Sequence, residues 1–352
     1  MDKEEVMNVT IKKIARDLKL AVSTVSKALR DSHEISAVTK KRVLEYAERL
    51  DYVPNTYASS LRNRRTGNIA VVIPEVVDSF FALAINGIES VAQEKKCHVI
   101  IYLTQEDQQK EQSIIRGFRS GRVDGVLISV SAGKDTHPHI RDLQERKVPI
   151  VFFDRVCKDI ESYRVVTDDF ESGYKAAEHL LSKGCKRPAF LSLSENLTII
   201  DQRLDGYKKA LSDYRIPVKN QCIVECSNND LHSEEVISKL LRQKNRPDGI
   251  VASVEKLTLL TYSVCARLGI SIPHEVKVMG FASLANAALL QPSLTTITQP
   301  AFNMGKAAAA LLFQILEKKK HEPNQTIVIP SVLHERASTQ PYLKKGRNTT
   351  KQ

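Results

Sequence analysis

No run of apolar residues in this chain approaches the roughly 20 that a helix needs to cross a bilayer, so the sequence predicts no membrane-spanning helix and no membrane partner. The first ten residues, MDKEEVMNVT, lack the apolar centre of a secretory leader, which points to the cytoplasm. The six cysteines are scattered at positions 97, 157, 185, 222, 226 and 265. One CxxxC pair (Cys222 and Cys226) without a second is a poor zinc signal, so all six are expected as reduced, mostly buried thiols. The nine histidines show no metal-ligand spacing. His137 and His139, in the HPH stretch, are read as ordinary surface side chains, and no metal is predicted. The phosphate-cradling patterns GxGxxG and GxxxxGK(S/T) are absent, and no Ser or Cys sits in a nucleophile elbow. These absences argue against an enzyme and against a cofactor. No internal repeat or low-complexity segment stands out.

What is present is an ordinary globular composition with unevenly placed charge. Of 352 residues 42% are hydrophobic and 26% charged, and the length suits two or three domains. The net charge is +11. Residues 9–66 hold 13 lysines and arginines against 6 acids, and residues 340–352 add four cations and no acid. The long middle is therefore close to neutral. A compact basic module on a neutral body suits a polyanionic partner.

Within that module, IKKIARDLKLAVSTVSKALRD reads as two short helices with almost nothing between them. Ile11, Ile14, Ala15 and Leu18 recur at helical spacing, as do Val25, Ala28 and Leu29. The small residues Ala21, Ser23, Thr24, Ser26 and Ala28 let the second helix approach another surface, and Lys27 and Arg30 suggest that this surface is anionic. A third helix follows a predicted cap at Ser36, with Val43, Ala47 and Leu50 on one face and Pro54 ending it. Three helices with a tight first connection fit a helix-turn-helix unit over residues 9–53; a small helical dimerisation module is the plainer reading of the pattern alone. Residues 54–67 are polar and basic, with no apolar face wide enough to fold alone, and mark a boundary.

From Ile69 the texture changes. Eleven β-rich runs, among them NIAVVIP, DGVLISV, RPAFLSLS and DGIVASV, alternate with helical stretches such as GYKAAEHLLSKG. That alternation predicts parallel sheets covered on both faces. Eleven strands are too many for a usual single doubly wound sheet, so two α/β lobes are expected. The predicted class is α/β: an all-α helix-turn-helix head and hinge, then a two-lobed body of parallel doubly wound sheets over residues 68–340, then a basic tail at 341–352.

The segments VTIKKIARDLKLAVSTVSKALRD, ISAVTKKRVLEYAERLDYVPN, RRTGNIAVVIP, VPIVFFDR, DQRLDGYKKAL, VKVMGF, LTTITQP and HERAST follow one another from Val9 to Thr339. In content and order they resemble the lactose/galactose repressor family of bacterial transcription regulators. The resemblance implies a periplasmic-binding-protein-like body, with one lobe at about 68–166 and 298–326 and the other at about 167–297 and 327–340. It implies a sequence-specific DNA-binding regulator under allosteric control by a small molecule, with repression the family's commoner mode and activation left open. The partners it implies are double-stranded DNA carrying a pseudo-palindromic operator, a small-molecule effector with sugar derivatives as candidates, and a second copy of the chain in a homodimer.

The same resemblance assigns residues. The helix opening near Val22 enters the major groove, with Val22, Ser23 and Lys27 facing bases while Thr10, Ser26 and Ser36 hold phosphates; Ile11 is counted with this surface. Lysine donates to guanine O6 and N7, and valine packs on a thymine methyl. The linker becomes a hinge helix in the minor groove, where Leu61 wedges into a base step and kinks the duplex. Tyr52 and Asn55 contact the backbone, Ala58 and Arg62 belong to the same surface, and Ser59 stands where the family usually has Arg.

In the body, Phe80 and Phe81 could simply be core; in the family they border an effector cleft between the lobes. Asp154 and Arg203 match ligand-contacting positions, and arginine suits bidentate bonding to hydroxyls or an anion. Two departures stand out: Ala282 replaces a family acid, and Val254-Glu255 replace an Asn-Asp pair. Losing an acid while keeping Arg203 and Arg155 tilts the expectation toward an anionic ligand such as a sugar phosphate or sugar acid. Glu255 works against this if it points inward. The rivals are a periplasmic-type sugar receptor with no DNA role and an enzyme on a similar frame. The basic head argues against the first and the missing catalytic set against the second.

Overall fold

The structure, a computed structural model, describes residues 9–52, 66–133, 137–157, 159–193, 197–217, 223–318 and 324–340. The chain divides into two compact units, Met1–Thr66 and Gly67–Gln352.

In the first unit, helices α1 (Ile11–Asp17), α2 (Val22–Leu29) and α3 (Ala37–Arg49) close around one small core of Ile14, Ala15, Leu18, Val25, Ala28, Val43 and Ala47. Thr10 caps α1, its hydroxyl accepting from Lys13 N at 3.3 Å, and Ser36 caps α3 through Thr39 N at 3.3 Å. Each cap satisfies an amide that has no partner inside its helix. Only residues 18–21 separate α1 from α2, and Lys19 adopts a φ of 56° in that turn. The hinge residues Asn55, Ala58, Ser59, Leu61 and Arg62, and the basic tail, lie outside the described residues.

The second unit contains two six-stranded sheets. The chain runs β1 (Asn68–Ile73), α4 (Ser79–Glu94), β2 (His98–Leu103), α5 (Gln108–Gly117), β3 (Gly125–Ile128), α6 (Pro138–Glu145), β4 (Ile150–Phe153) and β5 (Tyr163–Val166) through the first lobe. It continues α7 (Asp169–Ser182), β6 (Pro188–Leu193), α8 (Thr198–Asp213), β7 (Ile223–Cys226), α9 (Asp230–Leu241), β8 (Gly249–Ala252), α10 (Glu255–Leu268), β9 (Lys277–Phe281) and β10 (Thr295–Thr298) through the second. Helix α11 (Ala301–Leu316) and strand β11 (Thr326–Val328) return to the first lobe, and β12 (Val332–His334) to the second. The strand orders are β11-β5-β4-β3-β1-β2 and β12-β10-β9-β8-β6-β7. All ladders are parallel except β10 against β12.

Strands β3, β4, β6 and β8 are buried throughout, as a sheet covered on both faces requires. In the first lobe Ile69, Val71 and Ile73 pack with α4 and α11, while Ala70 and Val72 face Ile115 and Ile140 on the other side. The last crossing between lobes, expected at 326–327, falls after Val328. Ile327 and Val328 pair with Val165 and Val166, which holds them in the first sheet. Strand β12 adds a twelfth to the eleven expected.

Each lobe also contains a close helix crossing. A Cβ on Gly305 of α11 would stand 2.0 Å from Ala84 O of α4, and one on Gly206 of α8 would stand 1.9 Å from Phe170 O of α7. Only glycine admits such approaches. The second crossing brings Arg203 of α8 against the first turn of α7.

Candidate nucleic-acid interface and interlobe cleft

Helix α2 divides cleanly into two faces. Val25 and Ala28 point into the head's core, whereas Val22 is 43% exposed and Ser23 is exposed beside it. Ser26 and Lys27 are half-buried one turn later, on the same side by helical spacing. The Lys27 ammonium pairs with Glu34, and Arg30 donates to Ser26 Oγ at 2.9 Å and to Ser26 O at 3.0 Å. Thr10 and Ser36 are exposed and each hydroxyl accepts a capping bond; Ser36 Oγ also shares a 2.9 Å hydrogen bond with Thr39 Oγ1, in which either hydroxyl can donate. Ile11 and Tyr52 sit differently: both are half-buried and pack against the head's core. Burial pushes the Tyr52 phenol upward.

In open parallel sheets, ligands bind beyond the carboxyl ends of strands where the strand order reverses. The order reverses between β1 and β3 in the first sheet and between β6 and β8 in the second. Residues following those strands and their neighbours line one cleft between the lobes. Phe80 and Phe81 follow β1; Asp154 and Arg155 follow β4; Val254 and Glu255 follow β8; Ala282 follows β9; and Arg203 enters from α8. All six body residues singled out from the sequence are therefore brought together. Phe80 and Phe81 also belong to the first lobe's core, with rings 5.3 Å apart edge to face, so the pair is core and cleft lining at once.

The cleft is filled by its own polar groups. Glu255 accepts from the Ser79 hydroxyl, from Ser79 N at 3.5 Å and from Ser283 N at 3.2 Å, so one carboxylate ties the two lobes together. Asp154 accepts from Gln299 Nε2 at 3.0 Å. Arg203 donates from Nε to Asp169 Oδ1 and from Nη1 to Ser253 O, both at 2.7 Å, and lies 4.1 Å over the Phe281 ring. Its Nη2 is buried without a hydrogen-bond partner among the described residues. Arg155 donates to Glu106 Oε1 at 2.6 Å and lies 5.7 Å over Phe81. About 30 Å³ of open space remains, room for roughly one or two waters.

Burial dominates the acid–base behaviour here. It pushes the Asp154 carboxyl up to about 6, against the downward pull of Arg155 and Arg203 and with a further push from Asp169. Burial raises Asp78 and Glu255 as well. These charges bear on the expected tilt toward an anionic ligand. Both arginines are already matched, by Asp169 and Glu106, while Asp78, Asp154 and the inward-pointing Glu255 leave the lining with surplus acid. Asp78, Ser79, Asp169 and Gln299 were not singled out from the sequence. Asp169 opens α7 three residues after the end of β5, in VVTDDF, a position that carries no local signal of an arginine partner 34 residues on.

Comparison with known proteins gives each unit a counterpart. Residues 10–55 match the family described as bacterial regulatory proteins, lacI family, and residues 66–337 match periplasmic binding proteins and sugar binding domain of LacI family. The chain is 30% identical to the HTH-type transcriptional regulator RegA of Clostridium acetobutylicum over 321 residues, 90% of this chain and 95% of that protein. A LacI family transcriptional regulator from Enterococcus faecium, solved with bound ribose, is 26% identical with a TM-score of 0.70, covering 78% of this chain and 100% of that one. The lac repressor dimer bound to operator and the anti-inducer ONPF shares the fold at a TM-score of 0.83 and 19% identity, covering 95% and 99% of the two chains. These relatives are regulators of transcription, which sets the enzyme reading aside. With head and body matched in order and over nearly their full lengths, the chain belongs to the LacI family and is a DNA-binding regulator of transcription.

Proposed function

We propose that the chain works in the cytoplasm as a homodimer whose two heads read a pseudo-palindromic operator, and that a neutral, polyhydroxylated small molecule of the sugar class controls it from the cleft. In the head, α2 enters the major groove: Val22 packs on a thymine methyl, and Ser23 and Lys27 face base edges. Lys27 exchanges Glu34 for the DNA. Thr10, Ser26 and Ser36 hold phosphates, with Arg30 beside Ser26, while Ile11 and Tyr52 brace this surface from the core side. By the resemblance, Asn55 contacts the DNA backbone, Leu61 wedges into the minor groove, and Ala58 and Arg62 belong to the same surface.

The observation that carries the ligand class is the surplus of inward carboxylates around two arginines that are already paired. Carboxylates accept, and a sugar's hydroxyls donate, so a neutral polyol satisfies the lining without adding like charge. The relative solved with ribose supports the same class. Lobe opening, ligand entry and operator affinity are coupled, and each must alter the other by the same factor. Calorimetry on the full chain with paired neutral sugars and their phosphates at one ionic strength tests this. Binding of a neutral sugar that is lost in Glu255→Gln supports the reading; a preference for the phosphate overturns it. Operator selection from randomised DNA, followed by footprinting, tests the head: two inverted half-sites are expected, and a single asymmetric site would reject the dimer.

A further inference from the structure

A second cluster of titratable groups lies in the first lobe, away from the cleft lining. Glu111, in the first turn of α5, is fully buried; His137 precedes α6 and His139 lies in its first turn, 6% and 5% exposed. Glu111 Oε2 accepts from Ser131 N at 2.7 Å, and Oε1 stands 2.8 Å from His139 Nε2. His137 Nδ1 is 3.8 Å from that same oxygen, beyond hydrogen-bond reach. It has no hydrogen-bond partner among the described residues. The two imidazole rings are 5.8 Å apart and inclined by 63°. One donor atom from each of the three side chains lies within 4.8 Å of the others.

We propose that Glu111, His137 and His139 form a binding site for a divalent transition-metal ion of the zinc type. A buried Glu–His hydrogen bond accounts for His139 Nε2 alone. It leaves His139 Nδ1 unpartnered among the described residues, and also His137 Nδ1, which is turned toward the same carboxylate, a costly arrangement that a shared cation relieves at His137. Two imidazoles and a carboxylate are a common zinc donor set, with bonds of about 2.0–2.2 Å that place the ligand atoms about 3.3 Å apart. The observed 2.8 and 3.8 Å bracket that spacing. Imidazole donors disfavour magnesium and calcium, which take oxygen. The HPH stretch was expected at the surface with no metal; both histidines are instead buried. The two-residue spacing matched no familiar ligand pattern because Pro138 starts α6 between them, so one histidine lies before the helix and the other in it. The third ligand lies 26 residues upstream of His137, where no local pattern reaches it.

The test uses the full chain, untagged and stripped with a chelator, then titrated with Zn²⁺ by calorimetry and with Co²⁺ by visible absorption. One tight equivalent per chain is expected, with the ligand-field bands of a low-coordinate Co²⁺. His137→Gln removes a donor that makes no hydrogen bond, so the fold should melt as before while the tight site weakens by at least about 10-fold. His232→Gln, at an exposed histidine, should change nothing. A wild-type chain that takes up no more Co²⁺ than His137→Gln overturns the proposal. If His137→Gln melts far below the wild type, X-ray absorption of the wild-type Zn²⁺ complex decides: two imidazoles with an oxygen ligand support the site, and sulfur ligands overturn it.

Discussion

The head and the cleft hold their charges in opposite ways. In the head the Lys27–Glu34 pair keeps 37% and 52% of its side-chain surfaces exposed, and Asp31, paired with Lys40, is 89% exposed. In the cleft Arg203 and Asp169 retain 2% and 3%. An exposed pair contributes little to stability, so it can be exchanged for a phosphate or a base edge at small cost. A buried pair is different: removing one member strands the other without water or partner. Under the proposed function, recognition of DNA is thus separable from folding, whereas recognition in the cleft would be built from groups that the body also needs in order to fold.

That contrast is sharpest at Arg203. Arg203→Leu should destabilise the body by about 3–5 kcal/mol, because Asp169 is left charged and buried, and should abolish effector binding. Urea unfolding followed through the body's transition measures it; a change below about 1 kcal/mol would break the contrast. Next comes pH. The folded Asp154 carboxyl sits near 6 against 3.8 ordinarily, so the folded state keeps this proton over the window in which the unfolded chain loses it. Stability from this group therefore falls as pH rises from about 4 to 6, by up to about 3 kcal/mol, and is flat above. Asp154→Asn should gain on the wild type across that window, with Arg155, Arg203, Asp169 and Gln299 still around it. A variant tracking the wild type in parallel at every pH would remove burial as the cause.

On the head's side the effects should move binding and leave folding alone. Lys27→Ala should weaken operator binding about 10- to 100-fold while shifting stability by less than about 0.5 kcal/mol. Fluorescence anisotropy and thermal melts on one preparation give both numbers. A large loss of stability with it would mean that the head is not built as described. The smallest effect belongs to Ser36→Ala, the exception that touches both: loss of the α3 cap costs about 1 kcal/mol in the head's own transition, and loss of one phosphate contact weakens binding evenly across DNA sequences.

The two regions also differed in how far sequence reasoning could reach. Helix α3 was legible because its cap at Ser36 and its face of Val43 and Ala47 are local: a hydroxyl at the start and a 3.6-residue repeat after it. The alternation of strands and helices was legible for the same reason, and so was the division into two lobes. The cleft residues Phe80, Phe81, Asp154, Arg203, Glu255 and Ala282 came from the resemblance, since nothing local marks them. Their roles depend on distance along the chain: Ser79 and Glu255 meet across 176 residues and Asp154 and Gln299 across 145. The direction of Glu255, on which the proposed ligand class rests, could come only from the fold. Glu111 escaped for the same reason, being brought to the two histidines by the packing of α5 against α6.

If Glu255 holds the effector as proposed, the hydrogen bonds it makes across the lobes to Ser79 bear also on when the regulator responds. An arriving molecule would then find that carboxylate already taken by Ser79 and would have to wait for the lobes to part. The concentration at which it registers is then its intrinsic dissociation constant divided by the fraction of time the seat is vacant. A hydroxyl at position 79 that never touches the ligand would in this way set the alarm threshold of the whole switch.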